Sequence, residues 1–324
     1  MINKQRKKAR IIFRWITWVL LTQFVLINIS ASIYAYRLTH FYTNLQPSKS
    51  YASGNIFQKT WKLFTGPKLP RSTVKETPDF PYDTIKMMTA NEIPIEGWYA
   101  KTDSAAKGTV ILIHGILANK GMVIAEAGQF RDMGYNVMLI DLRGHGNSGG
   151  NSTTMGVKET EEVKKAYDFI ANKGVKNIFL WGISMGAVIV AKTISDYGLP
   201  VSGAILETPF ASLQSHLKAR ARTLSFPEQP FAFLVTFWIG LENGYNGFNH
   251  RTTSYVKKIK CPVLLQWGEL DDYVLKGETT KIFESINSTH KKLVVYEKAG
   301  HESLFKNDPE KWKTEVGEFL SGGL

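Results

Sequence analysis

Two kinds of apolar pattern divide this chain. From Trp15 to Tyr36 no residue is charged. At ~1.5 Å rise per residue, a helix of that length covers the roughly 30 Å hydrocarbon core of a bilayer. Beyond about residue 83 the pattern changes to short apolar runs that alternate with amphipathic stretches. Thr84–Thr89 and Ile93–Ala100 read as early strands, with Asn91 and Glu92 at the turn between them. Gly108–His114 is nearly continuous in apolar residues, as a strand buried on both faces is. Asn136–Asp141, Asn177–Gly182, Val201–Glu207, Pro262–Trp267 and residues 292–296 repeat that signature. Helical spacing falls on residues 121–133, 157–172 (Val163, Ala166, Tyr167 and Ile170 on one face), Met185–Tyr197, 276–287 and 308–320. Strands alternating with helices predict an α/β fold: a mostly parallel, doubly wound sheet.

Charge sharpens the reading of the N-terminus. The formal net charge is +12. Residues 1–82 hold 13 Lys/Arg against 2 acids, which leaves 27 against 26 for the rest. The basic excess therefore belongs to the apolar segment and its flanks. That points to membrane orientation and anionic lipid, and away from nucleic acid. Lys4, Arg6, Lys7, Lys8 and Arg10 outweigh Arg37 and Lys49 on the other flank. The positive-inside rule then puts the N-terminus in the cytoplasm and the large domain across the membrane, periplasmic or extracellular if the source is bacterial. Trp15 and Trp18 mark one interface; Tyr34, Tyr36 and Tyr42 mark the other. The uncharged stretch is longer than a usual signal-peptide core, and only Ser30-Ala31-Ser32 resembles a cleavage site, so a retained anchor is favoured over a cleaved peptide.

The expected organisation is a basic cytoplasmic segment (1–14), a transmembrane signal-anchor helix (15–36), a juxtamembrane connector (37–82) and a large α/β domain (83–324) interrupted by an insertion at about 208–260. The connector is punctuated by Pro47, Pro67, Pro70, Pro78 and Pro81, and its Phe57, Trp61, Leu63 and Phe64 are too apolar for a solvated linker. Cys261 is the single cysteine, so no intramolecular disulfide and no Cys-based zinc site can form. Inside its apolar run it reads as a small buried residue.

Chemistry gathers at the carboxyl ends of strands in such sheets. After the run 177–182 comes Gly182-Ile183-Ser184-Met185-Gly186, the Gly-x-Ser-x-Gly pattern of a nucleophile elbow. A sharp strand-to-helix turn lifts the Ser184 hydroxyl out of the sheet, and the two glycines let strand and helix approach. His301 follows the last strand, where a neutral imidazole can take the Ser184 proton and return it to a leaving group. An acid is needed to orient that imidazole. Glu269, Asp271 and Asp272 follow the penultimate strand, and Glu207 ends another. No metal-ligand spacing, phosphate loop or dinucleotide fingerprint is present, so neither metal nor cofactor is expected.

The order Ser…Asp…His, with Leu112–Gly115, Asp141–Ser148, Gly182–Gly186, Gly268–Asp271 and Gly300-His301, resembles the α/β-hydrolase superfamily over roughly residues 83–324. Within it the chain is similar to bacterial membrane-anchored members of the BEM46-like or serine-aminopeptidase-like group. Related hydrolases show Gly-x-x-Asp-x-x-Val at this point. Gly268, Asp271 and Val274 fit that spacing, so the resemblance implies Asp271 as the acid beside Ser184 and His301. It also implies an oxyanion hole from the backbone N–H groups of Ile116 and Met185, and gives His114, Asp141 and His145 supporting rather than reacting roles.

The same resemblance places a cap in the insertion between Glu207 and Pro262. Its apolar stretch Pro230–Gly240 is too short to span a bilayer. Packing of a cap helix on the domain is the first reading, and a substrate- or membrane-contacting surface the second. His216, Lys218, Arg220 and Arg222 give the cap a basic side. The expected activity is hydrolysis of carboxylic esters with an apolar acyl group, on a small-molecule or lipid-like substrate. Peptidase, amidase or thioesterase chemistry on the same triad is the alternative. An amine site would need clustered acids in the cap, where only Glu228 and Glu242 stand. A non-catalytic tethered binding protein is disfavoured by the intact Ser/Asp/His set.

Overall fold

The computed structural model describes residues 2–43, 45, 55, 57, 61 and 64–323. Its centre is an eight-stranded sheet in the order β10-β9-β8-β7-β5-β6-β4-β3. The strands are β3 (Asp83–Met88), β4 (Pro94–Ala100), β5 (Thr109–Ile113), β6 (Asn136–Ile140), β7 (Ile178–Ile183), β8 (Gly203–Glu207), β9 (Val263–Gly268) and β10 (Lys291–Tyr296). From β6 to β10 every neighbour is parallel; β4 pairs antiparallel with β6 and with β3. The doubly wound α/β sheet expected from the alternation is present. Ile111, Leu112 and Ile113 of β5 are fully buried because helices cover both faces.

One face packs on α3 (Thr160–Ala171), α4 (Met185–Tyr197) and α7 (Lys276–Ser285), through Val163, Ile170, Ile189 and Ile282. The other packs on α2 (Ile124–Asp132) and α8 (Pro309–Leu320), through Phe130, Trp312 and Phe319. Two helices, α2 and α3, begin three residues later than their patterns suggest. A 3₁₀ turn over Lys120–Val123 precedes α2, and a separate turn over Leu304–Asn307 precedes α8, whose Pro309 sits in the first turn, where a missing N–H costs nothing. The cap comprises α5 (Leu213–Thr223) and α6 (Glu228–Asn243). The apolar stretch identified α6; α5 had been visible only as a basic run.

The N-terminal helix α1 runs over Ile2–Thr39, beyond both ends of the uncharged stretch. Among the described residues it is the one helix long and apolar enough to cross a membrane. Its large side chains from Ile11 to Ile29 are exposed. Its last turns are not. Ala31, Tyr34, Ala35 and Leu38 recur at helical spacing and are buried against the cap. Tyr34 meets Phe231 edge-on at 4.9 Å, and its hydroxyl accepts from Arg220 Nε at 3.0 Å. Tyr34, one of the aromatic residues expected to mark the membrane interface, thus has its ring packed inside the cluster with the cap.

The connector joins the domain through a parallel pair, β1 (Phe41–Tyr42) and β2 (Leu69–Pro70), and Phe41 N–H donates to Asn151 O at 2.7 Å. Val74, Phe80 and Tyr82 pack on the second sheet face. Phe57, Trp61 and Phe64 are exposed. Pro47, Lys49 and Leu63 lie outside the described residues.

Candidate active site

Three carboxyl-terminal strand ends meet here. β7 stops at Ile183 and α4 starts at Met185, so the whole reversal falls on Ser184, at φ +53° and ψ −118°. A non-glycine residue at such a φ is strained, and the packing behind it must hold it there. The glycines of the elbow make that packing possible. A Cβ on Gly182 would lie 2.5 Å from the Gly186 carbonyl carbon, and one on Gly186 would lie 2.2 Å from Ile113 O. The Ser184 N–H is tied to Glu207 O on β8 at 2.8 Å.

The Ser184 hydroxyl donates to His301 Nε2 at 3.0 Å, and His301 Nδ1 donates to Asp271 Oδ2 at 2.8 Å. The second oxygen, Asp271 Oδ1, accepts from the N–H groups of Tyr273 at 2.8 Å and Val274 at 2.7 Å. The carboxylate is therefore buried but fully engaged, which holds it in one rotamer. Of the four acids weighed from the sequence, Asp271 is the one that reaches His301. Glu269 and Asp272 are exposed. Glu207 points away from the cavity, and its Oε1 accepts from the indoles of Trp181 at 2.8 Å and Trp312 at 2.6 Å.

Met185 opens α4, so its N–H has no acceptor within the helix. Ile116 lines the same cavity as Ser184. Gly115 lies beside the elbow: a Cβ there would be in ordinary contact with the Ser184 Cβ, at 3.4 Å. The cavity holds about 460 Å³, with mostly apolar walls that include Ile116, Met122, Val123 and Ile183. The other histidines of the region are neutral supports. His114 is buried, donates to Gly115 O at 2.7 Å and accepts from Leu142 N–H at 3.1 Å; burial pushes it down to about 4. His145 donates to Arg143 O at 2.8 Å, and burial pushes it down to about 3. Asp141 is fully buried and accepts from the backbone and ammonium of Lys120 and from Asn147 N–H.

Sequence reasoning missed Tyr273 and misread His216. Tyr273 sits on His301 with ring centroids 5.1 Å apart, and its hydroxyl lies 3.3 Å from His216 Nδ1 of the cap. His216 was counted with the cap's basic side. It is buried in the cavity wall and pushed down to about 3, first by burial and then by Arg220, so it carries no charge. Only the position of Tyr273, two residues after Asp271, carried a local signal.

The family described as serine aminopeptidase S33 matches residues 104–239. In three dimensions the chain is similar to the esterase Pf2001 of Pyrococcus furiosus, with 27% identity, a TM-score of 0.64, and coverage of 78% of this chain and 97% of that one. This chain has the α/β-hydrolase fold. The chain is also 27% identical to protein YqkD of Bacillus subtilis, over 80% of this chain and 89% of that protein. It is 25% identical to lysophosphatidylserine lipase ABHD12 of Danio rerio over 60% of its own length, and spans about half (51%) of that relative. The proteins it resembles at this level thus include an esterase and a lipase.

Burial raises the Glu207 carboxyl to about 8, and nearby Glu126 adds to the rise. The sign follows from linkage. Between its ordinary value near 4.5 and 8, the unfolded chain releases this proton while the folded chain keeps it, so stability falls as pH rises through that window. Glu207→Gln keeps an acceptor for both indoles and cannot titrate. Thermal melts from pH 5 to 8 should show a flatter decline for this variant than for wild type; equal slopes would remove Glu207 from the account.

Proposed function

We propose that the chain is a membrane-anchored serine esterase acting on esters with an apolar acyl group. The observation that carries this is the hydrogen-bonded series Asp271–His301–Ser184 at the wall of an apolar cavity. Ser184 Oγ attacks the ester carbonyl while His301 Nε2 takes its proton. The negative charge that forms on the carbonyl oxygen faces the N–H groups of Met185 and Ile116; one such donor is typically worth ~2.7–4 kcal/mol to the transition state. His301 then protonates the departing alkoxide, leaving an acyl-serine. A water gives its proton to His301, attacks the acyl carbon and releases the acid, and the proton returns to Ser184. Asp271 accepts from Nδ1 and holds the imidazole in the tautomer that leaves Nε2 free to accept.

The wall composition supports an apolar acyl group, as does the lipase among the relatives. Amine recognition has less support. Glu228 pairs with Arg222, Glu242 accepts from Ser32, and neither lines the cavity. Of the carboxylates that do line it, Glu302 accepts from Gly300 N–H and Asn307, and Glu126 accepts from Ser303 through Oε1 while its Oε2 is buried without a partner. α1 serves as the anchor, with the basic N-terminus on the cytoplasmic side and the catalytic domain across the membrane.

A series of p-nitrophenyl esters tests the substrate class. Medium-chain esters should show higher kcat/KM than acetate, and aminoacyl p-nitroanilides should turn over slowly. Faster cleavage of acetate would overturn the apolar acyl assignment, and faster cleavage of the anilides would make this a peptidase.

A further inference from the structure

The cap helix α6 carries an arrangement that catalysis does not explain. Its twelve residues from Pro230 to Leu241 include no charge. Ala232, Val235 and Ile239 account for the buried face, packed with α5 and the end of α1. The outer edge is equally apolar. Phe233, Phe237 and Leu241, at four-residue spacing, are 50%, 44% and 59% exposed. A helix that is apolar all round, yet uncovered on one side, does not suit water.

The position of α6 indicates what covers that side. Trp238 Nε1 donates to Asn28 Oδ1 at 3.3 Å, and the indole shares a groove with Phe24, Val25 and Ile29 of α1. These residues lie in the exposed apolar run of α1. About 20 residues of helix span the hydrocarbon core. Counted from Arg10 or from Arg14, that length ends near Ser30 or Tyr34, so Phe24–Ile29 lie inside the core. On the other flank of α6, a cavity of about 260 Å³ is lined by Ile27 and Ala31 of α1, Phe64, and Phe231 and Leu234 of α6. Sixteen residues are too few for α6 to span, but an apolar edge suits a helix lying in the interface.

We propose that α6 is a second membrane element, with Phe233, Phe237, Leu241 and Trp238 seated among the acyl chains of the leaflet from which α1 enters the domain. The inference rests on α1 being a membrane anchor. The occupant is lipid hydrocarbon because Phe233, Phe237, Leu241 and Trp238 adjoin the exposed apolar face of α1 and carry no charge; Glu242, at the end of α6, accepts from Ser32 of α1. The cap, whose His216 lines the active-site cavity, is then held at the lipid surface, and a lipid-borne ester reaches Ser184 without crossing bulk water.

The test uses the full chain in phosphatidylcholine vesicles, in a Cys261→Ser background, with an environment-sensitive fluorophore on one new cysteine at a time: Ile16→Cys in α1, Phe237→Cys in α6, and Lys313→Cys on α8 as an aqueous reference. Retained labelling by a fluorophosphonate verifies folding of each. The labels at 16 and 237 should both show blue-shifted emission, quenching by nitroxides on the lipid chains, and protection from aqueous iodide, unlike the label at 313. If 16 is in lipid while 237 is quenched by iodide, the docking of α6 is wrong and the anchor stands. If 237 is protected from both quenchers, a protein surface covers it and the lipid assignment is wrong. If 16 itself is quenched by iodide, the anchor falls and the docking falls with it.

Discussion

Ser184→Ala should abolish turnover, with kcat falling on the order of 10⁶-fold, because removing the nucleophile of a triad costs about as much as removing the whole triad. Alanine is the right replacement on structural grounds. It keeps the Cβ that already sits at φ +53°, whereas glycine would relax the elbow and confound the measurement. What is lost is one hydrogen bond to a partly exposed His301, so the thermal midpoint should move by less than about 2 °C. A fluorophosphonate probe should mark the wild-type protein and leave the variant unmarked. Equal marking of both would place the activated serine elsewhere and remove the basis for the proposed mechanism.

The second large effect separates two adjacent carboxylates. Asp271→Asn is expected to lower kcat by about 10⁴-fold, and Asp272→Asn by no more than about threefold. Asparagine preserves the acceptor that Tyr273 and Val274 use, so the loop should keep its shape. Its amide, however, offers an N–H where His301 Nδ1 needs an acceptor. The imidazole then favours the other tautomer, with a proton on Nε2 facing Ser184 and no lone pair to receive the hydroxyl proton. Asp272 is exposed and has no contact with His301, so its charge matters only through solvent. Comparable losses in the two variants would mean that the acid has been assigned to the wrong residue.

These two variants also mark where local sequence stopped being informative. The elbow was legible because its pattern is local. Gly182 and Gly186 flank Ser184 within five residues; Gly182 makes room for the helix turn that follows it, although Gly186 makes room for the Ile113 backbone of β5. His301 was legible from its place after the final strand. The choice among Glu269, Asp271, Asp272 and Glu207 was not a local matter. Spacing borrowed from related hydrolases pointed to Asp271, but the residues themselves look alike until β9 and β10 are paired in register and the loops that follow them come together. His216 shows the converse: among Lys218, Arg220 and Arg222 it read as part of a charged surface, and only the folded cap reveals a buried, neutral ring in the cavity wall.

By itself, the sequence determined what depends on neighbours along the chain: the alternation that makes a doubly wound sheet, the strand-to-helix turn at Ser184, and a run of uncharged residues long enough for a bilayer. Tertiary structure decided what depends on contacts between distant segments. Ser184 and His301 are 117 residues apart, and Trp238 and Asn28 are 210 apart. The uncharged run therefore said nothing of where α1 begins to pack on the domain. That packing begins where Ala31 and Tyr34 meet the cap, because a helix end that finds a complementary apolar partner is buried by it.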